Sequence, residues 1–313
     1  MTKQNKTIPI IKIVLFGILF AVLTAALVLG IVFGSTSINL LSLNFNLYDT
    51  TGYSAMTSKT ETIDVSSIKN ITVDWVSGQI NIKKADGDSI SISESYKNGG
   101  EVSSDDGLRY KVDGDELIIR YKKSQWYFGF GMQKSKALTL LLPEKEYNKL
   151  KIDTASAELN VSSAKFGDIS VDSVSGKQTF TNITANSFDI DNVSGNLEFI
   201  GCKSDSLDCD SVSGRINYSG SITGSIDVDT VSGDTSINTD TTPNKIESDS
   251  TSAEFTLWLP HNASFTATFD SVSGNFNSDL TTMLKGGKYI CGSGQSSFNF
   301  DSTSGSVQIH SVR

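Results

Sequence analysis

Nine times along this chain one pattern returns with small departures: apolar, any, apolar, Asp, any, apolar, Ser, then Gly or Ala, usually followed by a second apolar-any-apolar trio. It begins at Ile71, Leu150, Ile169, Phe188, Leu207, Ile226, Ile246, Ala267 and Phe298, and the central steps are 19, 19, 19, 19 and 20 residues. A fixed period of this size marks stacked supersecondary units, each too small to bury its apolar face without neighbours. Inside a unit the apolar residues alternate, as in Phe188, Ile190, then Val193, then Leu197 and Phe199. Period-two spacing in two short runs around a Ser-Gly corner reads as two strands meeting at a bend.

Stacked in register, the units form columns of like residues: Ile169, Phe188, Leu207, Ile226 and Ile246 in one, and Val174, Val193, Val212, Val231 and Thr251 in another. The expected fold is therefore all-β, a parallel β-solenoid of about nine coils. An antiparallel meander with one hairpin per 19 residues gives a similar pattern and stays open. Alanine replaces the corner glycine at Ala157 and Ala253. Positive φ is costly for alanine, so the corner is expected to need a small residue for close coil packing more than a left-handed backbone.

Between the first and second repeats, residues 83–149 break the period. Ser89 to Ser93 alternates as a strand, and Asp113-Gly114 between Lys111-Val112 and Leu117-Ile118 reads as a hairpin turn. This insert is expected to be antiparallel and to cap one end of the solenoid. A longer duplication frames the array: Leu142-Pro143 precedes Asp153 and Leu259-Pro260 precedes Asp270, with an offset of 117 residues at each point. Proline closes both strands because it cannot donate to the next ladder.

Residues 10–33 carry a single charge, Lys12, and as a helix would cross a hydrocarbon core of about 30 Å. Lys3, Lys6 and Lys12 precede any acidic residue, so the positive-inside rule places residues 1–9 in the cytoplasm and the rest outside. The rival is a cleavable signal peptide, but its apolar region should be only about 7 to 15 residues long. The expected organisation is a cytoplasmic tail (1–9), a single-pass signal anchor in the cell membrane (10–33), a polar stalk (34–60) and a β-repeat ectodomain (61–313). Without the three anchor lysines, 23 basic residues face 35 acidic ones. Such a surface repels nucleic acid. Three cysteines cannot all pair, and Cys202 and Cys209 occupy columns of apolar residues, which reads as buried packing.

The recurring Asp-Ser-Val-Ser-Gly corners, the Leu-Pro strand ends, the late Gly292-Ser293-Gly294 before the unit at Phe298 and the N-terminal anchor together resemble a bacterial putative-adhesin domain family of unknown function built of β-strand repeats. The resemblance spans residues 60–313. It implies a membrane-tethered envelope protein, in some cases associated with envelope-stress regulators, and brings no catalytic residues with it.

Two features are candidates for a site. Asp189 and Asp191, Asp208 and Asp210, and Asp227 and Asp229 share one side of their strands, making a panel of six carboxylates with coils about 4.8 Å apart. Carboxylates at that spacing repel, and a hard cation such as Ca²⁺ would relieve them. The plainer alternative is that each corner Asp caps its own turn while the others keep the face soluble. No calcium-loop motif occurs, so no metal or other cofactor is assigned. The second candidate is Trp126, Tyr127, Phe128 and Phe130, flanked by Lys122, Lys123, Lys134 and Lys136. This segment suits contact with a membrane surface, an envelope component or a membrane-protein partner, or with a glycan; alternatively it covers the open end of the solenoid.

Catalysis has little to rest on. Only His261 and His310 occur, neither in a nucleophile, base or metal motif. The expected function is a non-enzymatic envelope module that binds or scaffolds. The alternative is a polysaccharide lyase or hydrolase using the acidic panel, for which the repeats lack a consistently placed basic partner.

Overall fold

The computed structural model describes residues 38–40, 43–45, 50, 52–56, 60–64, 67–97, 100–104, 106–122 and 135–312. The anchor at 10–33, the tail before it and the cluster of Trp126, Tyr127, Phe128 and Phe130 lie outside the described residues. Within the segment expected as a stalk, Ile38–Leu40 pairs antiparallel with Leu43–Phe45, and Ser54–Ala55 pairs antiparallel with Arg109–Asp113. Regular structure is all β, and no helix occurs among the described residues. The chain divides into two compact units, within Val22–Gln178 and within Thr179–Arg313.

In the N-terminal unit the first repeat, strand Asn70–Lys84, lies between two parallel neighbours. On one side Glu146–Ser162 pairs with it in register, Ile71 against Leu150 and Asp74 against Asp153. Lys165–Ser173 continues beyond that strand, Leu150 against Ile169. The other side brings a correction to the antiparallel insert. Glu116–Arg120 and Lys136–Leu142 both run parallel to Asn70–Lys84, placing Leu117 against Ile71 and Leu138 against Ile80. Together they make one more coil. The repeat pattern misses it because Arg120 stands at the Asp position and residues 121–135 replace the four-residue corner. The remaining insert strands are antiparallel as expected: Ser89–Tyr96 pairs with Thr60–Asp64 and with Lys136–Leu142, and Arg109–Asp113 turns at Gly114 onto Glu116–Arg120. Strict alternation sends Ile71, Val73, Ile80, Ile82, Leu117, Ile119, Leu138 and Leu140 into a fully buried core.

In the C-terminal unit the parallel ladder runs Ser187–Asn192, Leu197–Ser211, Ile216–Thr230, Lys245–Ser250, Ser296–Ser302 and Phe265–Ser271. Space and sequence disagree at its end, because the repeat at Phe298 sits between those at Ile246 and Ala267 instead of after both. The second half-coils follow the same order, Thr235–Thr239, Phe255–Leu259, Val307–Ser311 and Phe276–Ser278. Aromatic rings fill the interior between half-coils, with Phe180 stacked on Phe199 at 5.0 Å and Tyr218 tilted against Phe199 at 5.4 Å. Such ring pairs add about 0.5–1.5 kcal/mol each beyond the area they bury.

The column containing Leu207, Ile226 and Ile246 is buried as read from the sequence, and so are Cys202 and Cys209. The valine column is not. Val174, Val193, Val212 and Val231 are only half-buried, whereas Asn192, Ser211 and Thr230, one residue earlier, point inward. Alternation simply continues through the aspartate to the next residue, so the polar side chain enters the core. It is kept there by the turn. Asn192 Oδ1 accepts the Gly195 N–H at 3.0 Å, Thr230 Oγ1 that of Gly233 at 2.9 Å, and Ser302 Oγ that of Gly305 at 2.7 Å. In these corners the residue after the aspartate takes the turn N–H, three residues on, a side-chain-to-backbone cap that satisfies a donor with no strand partner.

The small corner residue is explained by proximity. A Cβ placed on Gly214 would lie 1.9 Å from the Gly195 carbonyl oxygen, and one on Gly233 2.0 Å from that of Gly214, at ordinary φ. Gly176, at φ 116°, adds a left-handed backbone to the same crowding.

Candidate functional site

The six candidate carboxylates come together in the C-terminal unit as two straight columns. Asp189, Asp208 and Asp227 are direct neighbours across the ladder, and so are Asp191, Asp210 and Asp229. The next strand extends both, with Glu247 beside Asp227 and Asp249 beside Asp229. Glu247 and Asp249 lie outside the six residues that the sequence pattern pointed to, although Glu247 stands two residues before its corner aspartate as Asp227 does before Asp229. Further out, Asp301 pairs with Asp249 and Asp270 with Asp301, while Asn299 ends the outer acidic column.

Four of these groups are raised, three of them strongly, and burial is the first cause for each. Asp210 is pushed up to about 8 by desolvation and then by Asp229, Asp191 and other neighbours. Desolvation and Asp249 raise Asp229 to about 7. Asp208 rises to about 6, with Asp227 and Asp189 adding to its burial, and Asp227 is raised by burial and Glu247. Near neutrality the inner column therefore holds protons, which neighbouring carboxyls can share. Among the described residues no three His, Cys, Asp or Glu side chains converge in a way that would hold a metal ion.

The N-terminal unit treats its acids differently. Arg120 Nε lies 3.4 Å from Asp74 Oδ2, and Lys151 Nζ lies 3.1 Å from Asp153 Oδ2. Asp74 nevertheless rises to about 7, because burial outweighs the guanidinium and Asp153 adds repulsion.

Beside that ladder is a cation site filled by the chain itself. Lys136, expected among the lysines that meet anionic groups, is 1% exposed. Its ammonium donates to Glu94 Oε2 at 3.0 Å, to the Asp106 carbonyl at 2.6 Å and to the Tyr121 carbonyl at 2.5 Å. It lies 4.2 Å from the Tyr121 ring centroid and 5.2 Å from that of Trp75. Desolvation lowers its pKa to about 8 against the pull of Glu94. A lysine so enclosed braces the corner and cannot reach a lipid headgroup. Cys209 is equally closed off, its thiol driven far up by burial, and His310 Nδ1 lies 2.7 Å from Asp279 Oδ2 on the surface.

The family model described as Toastrack DUF4097 matches residues 68–310. No curated protein matches the chain. Among solved structures, a putative cell adhesion protein from Clostridium sporogenes is similar, with 13% identity, 81% of this chain and 99% of that chain covered, and a TM-score of 0.29. A putative adhesin from Bacteroides fragilis is similar with 14% identity, 81% and 96% coverage, and a TM-score of 0.33.

Proposed function

The chain belongs to the Toastrack DUF4097 family, and on that footing we propose that it is a non-enzymatic, membrane-anchored module of the bacterial cell envelope that binds or scaffolds outside the membrane. In this reading residues 10–33 hold it in the membrane, and its repeats serve as coils of a rigid β-solenoid. The observation that carries the proposal is the double acidic column, where the same side chains recur on successive strands from Asp189 and Asp191 to Glu247 and Asp249. A regular array of like groups at strand spacing suits a partner that is itself repetitive, because many weak contacts add through effective concentration. The segment with Trp126, Tyr127, Phe128 and Phe130 supplies a second, aromatic contact with an envelope component or membrane-protein partner.

The test is co-sedimentation of residues 57–313 with isolated cell-wall sacculi and, separately, with anionic lipid vesicles, with and without calcium. Binding that weakens when Asp189, Asp208 and Asp227 become Asn, or when Trp126 and Phe128 become Ser, supports the module and names its surface. Absence of binding to both, with no protein captured by crosslinking in intact membranes, overturns it.

One observation favours the enzymatic alternative, cleavage of an acidic polysaccharide. Asp210 is pushed up to about 8 by burial and by its acidic neighbours, so it holds a proton near neutral pH as a general acid does. Product release that disappears in Asp208→Asn and Asp210→Asn would establish it over the binding reading.

A further inference from the structure

Strand alternation turns two reactive groups into the same buried corner of the N-terminal unit. On Ser89–Tyr96 the inward side chains are Ile90, Ile92 and Glu94, and on Lys136–Leu142 they are Lys136, Leu138 and Leu140. The two strands are antiparallel neighbours, Tyr96 opposite Lys136 and Glu94 opposite Leu138, so the amine and the carboxyl meet on the diagonal. Burial makes their ion pair a costly arrangement. A surface pair such as Lys84 with Glu144, 46% and 68% exposed, keeps both charges in water. Lys136 and Glu94 are 1% and 7% exposed, where both ions are penalised and a neutral amide is not.

The corner also supplies what acyl transfer needs. Lys136 Nζ is 3.0 Å from Glu94 Oε2, so the carboxyl carbon, one bond from that oxygen, is presented to the amine. The Leu108 N–H donates to the other oxygen, Oε1, at 2.8 Å, a fixed donor where negative charge gathers during attack. The Asp106 and Tyr121 carbonyls hold Nζ at 2.6 and 2.5 Å, and the buried rings of Trp75 and Tyr121 shut out water. With its pKa lowered to about 8 by desolvation, this amine gives up its proton more readily than a surface lysine.

We propose that Lys136 and Glu94 condense into an intramolecular isopeptide bond that covalently links strand Ser89–Tyr96 to strand Lys136–Leu142. One proton passes from the ammonium to Oε2, the freed lone pair of Nζ attacks the carboxyl carbon, and the C=O electrons move onto Oε1 beneath the Leu108 N–H. Nζ then passes a second proton to Oε2. The bond from carbon to Oε2 breaks, Oε2 leaves with both protons as water, and C=O re-forms at Oε1 while Nζ keeps one hydrogen. An ammonium and a carboxylate thus become an amide and one water, and no other reagent is consumed. Until the bond forms, the two groups act as an ion pair. The link closes a loop over residues 94–136 and restricts the unfolded chain as a disulfide would, in a protein whose Cys202, Cys209 and Cys291 are all free. This inference does not depend on what the acidic face binds.

The test is mass-spectrometric peptide mapping of the full chain, purified in mild detergent, then denatured and digested with trypsin. Wild type is expected to give a branched peptide joining the segment that contains Glu94 to the one that contains Lys136, lighter than the two together by one water and uncut after Lys136. Lys136→Arg removes the nucleophile and Glu94→Ala the acyl group, so each variant should give these segments unlinked and at full mass. Wild-type segments recovered unlinked, a loss of water that maps to other residues, or a link that persists in either variant would each overturn the proposal. The wild-type result alone decides it, whether or not the variants fold.

Discussion

Arg120 occupies the position of the recurring aspartate and lies 3.4 Å from Asp74 on the neighbouring strand. Asp74 is squeezed between Arg120 on one side and Asp153 on the other. The guanidinium is the largest attractive charge on this end of the acidic ladder, with Lys151 a smaller one. Replacing Arg120 by Gln should cost about 1–3 kcal/mol, because it leaves a largely buried carboxyl without its counter-charge. Asp74→Asn in the same chain should return most of that. Chemical denaturation of the four-member cycle measures the coupling directly.

The C-terminal acids give stability a definite pH dependence. Asp208, Asp210 and Asp229 titrate in the folded chain near 6, 8 and 7, above the unfolded value near 4. A raised carboxyl pKa means that the folded state holds more protons, so stability falls as pH rises from about 4 through 8. The protein should melt at a higher temperature at pH 5 than at pH 8.5. Asp210→Asn should stabilise by roughly 1–2 kcal/mol at pH 8.5, after allowance for water screening, and much less at pH 5. An equal gain at both pH values would place the effect elsewhere.

The 19-residue period carries most of this architecture because parallel stacking aligns identical offsets, so Phe188, Leu207 and Ile226 had to share a column once the coils were in register. The acidic panel was legible for the same reason. What the period could not carry was any coil that departs from it. The strands Glu116–Arg120 and Lys136–Leu142 complete a coil without an aspartate or a short corner. Nor does a period record spatial order, and the last repeat pairs with the strand at Ile246 before that at Ala267. The valine column is misplaced because strand alternation does not stop at the aspartate; it continues to Asn192 and Thr230, whose burial makes sense only with the turn N–H groups they accept.

Close approach and backbone sign can be separated at two glycines. A methyl at Gly214 would collide with the Gly195 carbonyl, whereas Gly286 has φ 60° and open space around it. Gly214→Ala should therefore destabilise by about 2–4 kcal/mol, since either coil spacing or the corner must give. Gly286→Ala meets only the left-handed penalty, about 1 kcal/mol. Urea midpoints of the two variants should differ in that order, and similar values would mean that the corner can relax.

Lys136 provides the sharpest test of the N-terminal unit. Its ammonium and the Glu94 carboxylate are 1% and 7% exposed and 3.0 Å apart, so each is the other's main compensation in a place where water supplies little. Glu94 also accepts the Leu108 N–H at 2.8 Å, which ties the pair to the backbone of the insert. Removing one charge strands the other. Lys136→Met and Glu94→Gln should each cost about 3–5 kcal/mol, the range for breaking a buried pair. The double variant should be more stable than either single one, because Met can fill the space against Trp75 and Tyr121 without needing a counter-charge. If instead the double variant loses the sum of both costs, the pair is not coupled, and the lysine's bonds to the Asp106 and Tyr121 carbonyls are what hold this corner closed.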